Sequence, residues 1–197
     1  TLNRDIGLIK KELESLPTSF FITKWIFEHT PYIFDDQEDK YIHWRKDIAE
    51  KLRVDPTDIL ITGSAALGFS LSPHKNFKQF NEKSDIDVSI VSQHYFDVAW
   101  HDLLFTSRPV IQPKMRAALD DHRSRLIYWG TVATDKILPL LSFGAEWDNI
   151  IKQSKSLPVF ENREVNFRIY KDKLSVRNYL SISINDRKTA LLEAKIK

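Results

Sequence analysis

Two stretches constrain what this chain can fold into more than any others. Ile59-Leu60-Ile61-Thr62 is β-rich and apolar and runs into a Gly63-Ser64 corner. Ser84-Asp85-Ile86-Asp87-Val88-Ser89-Ile90 is a second β-rich run, with two carboxylates two positions apart. Strand side chains alternate faces, so Asp85 and Asp87 project from one face, about 6.5 Å apart along the strand. Ile86, Val88 and Ile90 are left to the other face, where they pack a core. Two acids on one face repel unless a cation lies between them. Mg²⁺ suits that position, being a hard ion that takes one or two carboxylates together with phosphate oxygens. The Gly-Ser corner supplies the other half of such a site. Glycine lets a ligand approach the backbone, and the N-terminus of a following helix offers free N–H groups to phosphate.

A chain of 197 residues is long enough for one domain with a sizeable core. A net charge of +2 provides no global basic field for nucleic acid. The absence of cysteine excludes a disulfide framework and a thiolate metal site. No apolar run approaches the ~20 residues that cross a bilayer, and no basic-headed apolar leader is visible. The chain opens on Thr1, which points to a trimmed start. A cytoplasmic protein with no membrane partner is expected.

Around the two core strands the pattern is helical. Ile6, Ile9, Leu13 and Leu16 share a helical face, with Thr1 or Asn3 as cap and Pro17 as stop. Ser19 to His29 is dense in aromatics and reads as a buried helix, with a partner-facing helix as the alternative. Thr30 to Asp39 reads as a loop. Tyr41, Trp44, Ile48 and Leu52 form the apolar stripe of a helix leaning on the sheet. Ser70 to Ser84 is polar and aperiodic, a loop beside the proposed site, with Lys75, Lys78 and Lys83 as candidates to meet a triphosphate and the ordinary surface lysine as the simpler alternative. Helices follow over Tyr95 to Phe105, Pro113 to Leu126 and Trp147 to Ile151. Arg116, Arg123 and Arg125 are expected to pair with Asp120 and Asp121 rather than clamp phosphate. Val165 to Tyr170 alternates strictly, with Val165, Phe167 and Ile169 on one face and Glu164, Asn166, Arg168 and Tyr170 on the other. Leu174 to Ala194 closes the chain as a helix, with Asn185-Asp186 as a possible interruption.

The residues Thr62-Gly63-Ser64 with Ser84-Asp85-Ile86-Asp87 resemble the signature of the nucleotidyltransferase superfamily that includes DNA polymerase beta. Ser72-Pro73 and Tyr128-Trp129-Gly130 extend the likeness to bacterial nucleotidyltransferase-like proteins associated with antiviral defence. The resemblance implies an α/β (α+β) fold, a small mixed sheet wrapped by helices. It implies one domain over 1–197: a helical segment 1–54, the core 55–92, a helical region 93–160, and a strand with closing helix 161–197. The implied activity is Mg²⁺-dependent transfer of a nucleoside monophosphate from an NTP to a nucleotide, an RNA end or a protein. Asp85 and Asp87 would hold the metal, and Gly63, Ser64, Lys75 and Lys83 would receive the triphosphate. Trp129 or Trp147 is a candidate to stack on a base, with a core role as the simpler alternative.

The likeness has one departure. Active members place a third carboxylate on the strand beside Asp-x-Asp, and the matching position here is Asn166. Asparagine is a weaker metal ligand and cannot act as a base at neutral pH. Glu164, two positions earlier on the same face, is the candidate substitute. Two functions therefore stay open: a transferase using Asp85, Asp87 and Glu164, or a nucleotide-binding or partner-binding module that keeps the fold with weakened catalysis.

Overall fold

The computed structural model describes residues 5–107 and 112–196. Strand parity builds the architecture from its centre. β1 (Ile59–Thr62) runs antiparallel to β2 (Ile86–Val91), and β2 runs parallel to β4 (Val165–Tyr170). β3 (Thr131–Ala133) pairs antiparallel with β4, giving the order β1-β2-β4-β3 in a mixed four-stranded sheet. On one face Ile59, Ile61, Ile86, Val88, Ile90, Val132, Phe167 and Ile169 enter the main core. The other face divides along its length. Leu60, Val91 and Tyr170 pack with Val176 of the closing helix. Beyond them the same face turns polar, with Thr62, Asp87 and Asn166 side by side in the register.

Helices cover the apolar face and part of the polar one. α1 (Ile6–Ser15) buries Ile9 and Leu13 and is capped by Asp5, whose carboxylate accepts the Leu8 N–H at 3.0 Å. The caps expected at Thr1 or Asn3 lie outside the described residues. α2 (Thr18–Ile22) passes into a π-helical segment, Thr23–Glu28, that buries Trp25 and Ile26. The expected loop over Thr30 to Asp39 contains a 3-10 turn that sinks Ile33 and Phe34 into the core. α3 (Glu38–Leu52) buries Tyr41, Trp44, Ile48 and Leu52, the stripe read from the sequence. Trp44 stacks on Phe160 with centroids 5.1 Å apart and donates its indole N–H to the Ser154 carbonyl.

The one-turn helix α4 (Gly63–Leu67) follows β1, and α5 (Gln93–Phe105) follows β2. α6 (Pro113–Asp121) ends in a π-helical turn, His122–Leu126. α7 (Thr134–Ile137) and α8 (Gly144–Ser154) precede β4. α9 (Lys173–Ile196) runs unbroken through Asn185-Asp186. The helix continues through this pair, where Asn185 directs its side chain away from its own backbone and accepts the Thr18 hydroxyl at 2.7 Å. β3 has no counterpart among the expected elements, since three residues are too few to show alternation. Among the described residues no helix is long and apolar enough to cross a membrane.

Candidate functional site

A cleft of about 300 Å³ opens on the polar half of the sheet. Gly63, Ser64, Lys75, Asp85, Asp87 and Arg168 line it, and Ile26, Leu180 and Ile184 form an apolar wall. Five of the seven residues proposed from the sequence thus meet in one space, from three separate segments.

The register explains the tightest contact. Thr62 stands opposite Asp87, so the next residue, Gly63, turns directly beside that carboxylate. Its φ is +66°, and a Cβ built there would lie 2.8 Å from Asp87 Oδ2. Glycine is needed twice, for the left-handed backbone and for the close approach. α4 is only five residues long, so it carries little of a full macrodipole. The charge in the cleft comes mainly from side chains rather than from the helix N-terminus invoked above.

Asp85 and Asp87 both open to the cleft mouth. Asp87 is nevertheless walled by protein on its other sides. That crowding pushes its carboxyl above the ordinary aspartate range, and the negative charges of Asp85 and Asp135 push it further. Arg168 and Lys75 oppose the shift. Beneath the pair lies a layer of neutral hydroxyls. Thr62 Oγ1 and Ser89 Oγ are 3.3 Å apart, and burial holds the Tyr170 phenol protonated.

The 70–84 loop, expected from sequence as a polar connection, is held at both ends by arginines. Arg187, buried on α9, donates from Nε to the Leu71 carbonyl at 3.0 Å and from Nη2 to the Ser72 carbonyl, with its guanidinium over the Phe77 ring. Arg163 donates to the carbonyls of Asn81 and Ser84 and lies over Phe80. Main-chain bonds from Ser70 N to Lys78 O and from Phe80 N to Gly68 O close the loop on itself. Lys75 is delivered to the cleft by this braced turn.

Lys83 and Glu164 are placed elsewhere. Lys83 is exposed outside the cleft, its main-chain N–H bound by the Asn81 side chain. Glu164 is exposed, and its carbonyl takes the Ile86 N–H at 2.9 Å, but its side chain does not line the cleft. Asn166 is half-buried beside Asp87 in the parallel register, also outside the lining. Trp147 is fully buried against Tyr95, Phe143 and Phe167, a core role, and Trp129 does not reach the cleft. Arg125 pairs with Asp121 at 3.1 Å, as expected, whereas Arg123 donates instead to the carbonyls of Leu103, Leu104 and Thr106.

Arg168 was visible in the sequence on the same strand face as Asn166 but was not read as part of the site. It sits beside Ser89, one row inward from Asp87. Its guanidinium lies 4.9 Å from the Tyr179 ring centroid. Among the described residues no ion pair joins it to Asp85 or Asp87, and its Nη1 is buried with no hydrogen-bond partner. An unpaired buried donor costs ~1–3 kcal/mol. Parity along β4 was the signal that could have found it.

Among the described residues no group of three or more His, Cys, Asp or Glu side chains is placed to hold a metal. Asp85 and Asp87 still offer hard oxygen donors, and a cation between them would relieve the repulsion acting on Asp87. The pair fits a Mg²⁺ ion that draws its other ligands from phosphate and water. Comparisons of the chain with protein-family models, with curated proteins and with solved structures returned no match.

Proposed function

We propose that this cleft binds a nucleoside triphosphate with Mg²⁺ and transfers its nucleotidyl group to an acceptor, on a nucleotidyltransferase-like fold. The convergence of Gly63, Ser64, Lys75, Asp85 and Asp87 in one space is the observation that carries this reading. The metal would supply charge neutralisation at the α-phosphate and at the departing pyrophosphate. Asp85 and Asp87 would hold that ion. Ser64 and Lys75 face the same space and would receive the outer phosphates. Ile26, Leu180 and Ile184 exclude water from one side, which strengthens the charged contacts beside them. Arg187 and Arg163 keep the Lys75 loop in place before ligand arrives, reducing the ordering cost of binding.

A second reading is favoured by two specific observations. Asn166, not an acid, stands beside Asp87, and Glu164 lies outside the cleft. On that basis the protein would bind Mg-NTP without transferring it. Each labelled NTP, incubated with the protein and Mg²⁺, separates the two: pyrophosphate and labelled product support transfer, whereas calorimetric binding with neither supports the binder. Equal affinity for ATP and AMP would remove both.

A further inference from the structure

We infer that the acceptor in this cleft is a phosphomonoester, received by Arg168; the inference rests on the transfer reading above and names its second substrate. Three observations lead there. Among the described residues no acid besides Asp85 and Asp87 lines the cleft, and no histidine lines it either. Asn166, next to Asp87, is neutral, and Asp135, whose charge reaches Asp87, is exposed outside the cleft lining, so among the described residues no further carboxylate faces the space where a hydroxyl acceptor would need a base. One row inward the same face carries a fixed cation, Arg168, braced on the Tyr179 ring and with a buried Nη1 left unpaired.

A fixed guanidinium repels a second divalent ion and attracts an anion, for which its fork of donors is well shaped. A phosphomonoester needs no base. Its second pKa is about 6, so near pH 7.5 it arrives as a dianion whose oxygens are already nucleophilic. One such oxygen bonds to the α-phosphorus of the NTP. The bond from that phosphorus to the oxygen bridging to the β-phosphate breaks, and its electron pair leaves with pyrophosphate. No proton is taken from the acceptor, and the product is a phosphoanhydride. The cation near Asp87 and the missing third acid thus have one chemical explanation.

Two independent measurements test this. In the first, inorganic phosphate is titrated by ³¹P NMR without metal or nucleotide. Phosphate binding should weaken at least about 10-fold in Arg168→Met, and Arg168→Lys, which keeps the charge but loses the fork, should bind between Arg168→Met and wild type. Thermal melts confirm that each variant is folded. Phosphate binding that ignores Arg168→Met, or is absent from wild type, overturns the inference whatever the nucleotide does. In the second, α-labelled ATP and Mg²⁺ are offered AMP or glycerol at equal concentration. A labelled diadenosine diphosphate with pyrophosphate, and no glycerol adduct, is the expected result. Preference for glycerol overturns the phosphate acceptor while leaving the transfer reading intact. Failure of wild type to bind ATP at all removes the transfer reading instead, and the phosphate titration then still decides whether Arg168 receives an anion.

Discussion

Gly63→Ala separates the site from the fold more cleanly than any change to an acid. The new Cβ would lie 2.8 Å from Asp87 Oδ2, where 3.4 Å is the near limit of an ordinary contact, so the carboxylate must yield by about 0.6 Å. A φ of +66° adds the left-handed cost of a non-glycine residue, ~1–2 kcal/mol. With the close contact the total is roughly 2–3 kcal/mol. That is a minority of the ~5–15 kcal/mol that holds a domain. At ~2–4 °C per kcal/mol for a chain of this size, Tm should fall by roughly 4–12 °C, leaving a folded protein at 25 °C. Mg²⁺ tolerates little displacement of its ligands, so Mg-ATP affinity by calorimetry should fall ~10–100-fold.

Gly68→Ala is the control. It lies at the other end of α4 with φ +85°, its Cβ would meet the Tyr32 ring at 2.8 Å, and it does not line the cleft. It should destabilise to a comparable degree and leave Mg-ATP binding within about twofold. The close contact also predicts a coupling. An Asp87→Ala background removes the two nearest atoms and leaves the Asp87 Cβ at 3.9 Å from the built Cβ, so Gly63→Ala should cost less stability than in wild type. Wild-type Mg-ATP affinity in Gly63→Ala, or a cost unchanged by Asp87→Ala, would refute the argument that the corner and the carboxylate form one site.

Asp85→Asn should keep or slightly raise Tm in metal-free buffer, because it removes one of two repelling charges, and should abolish the Mg²⁺ dependence of nucleotide binding; unfolding of this variant would mark the acid as structural. His122 is fully buried with Nδ1 donating to the Ala118 carbonyl and Nε2 accepting the Ala133 N–H, and burial holds its pKa below 6.5. The unfolded chain therefore binds the proton more readily, so the His122 contribution is complete above about pH 6.5 and is lost as pH falls below it. The wild-type-minus-His122→Gln difference in Tm should shrink between pH 7 and pH 5, and a flat difference would contradict this. Arg187→Met keeps an apolar side chain of similar reach but removes the guanidinium and both of its bonds to the loop, so amide exchange at 71–75 should accelerate at least about 10-fold and ATP affinity should fall toward that of Lys75→Ala; unchanged exchange would show that the loop needs no strap.

What the sequence made legible follows from how far each signal extends. Period-2 alternation over 86–91 and 165–170 predicted both the strands and the face on which each side chain stands. The stripe Tyr41, Trp44, Ile48, Leu52 predicted α3, because four positions over three turns are enough to establish a period. β3 was lost because three residues between Gly130 and a short helix carry no period at all. Asn185-Asp186 misled for a different reason. Its local preference for a turn was outweighed by a contact to Thr18, far away in sequence, which no local pattern contains.

The site shows the same division between parity and distance. Asp85 and Asp87 were assigned one face by alternation alone, and the parallel pairing of β2 with β4 extends that face to Asn166 and Arg168. Whether a residue on the face reaches the cleft depends on where the strand ends and what covers it. Glu164 stands at the open end of β4 and its side chain stays outside, whereas Arg168, two rows further in, lies under α9 and reaches the space through Tyr179. The sequence argument for Glu164 used parity without depth. With depth included, the face of β4 presents a cation rather than an acid to the space beside Asp87. That reversal of charge, more than the loss of a ligand at Asn166, is what an acceptor would meet first. An acceptor that already carries negative charge is attracted by that cation and does not need the missing base.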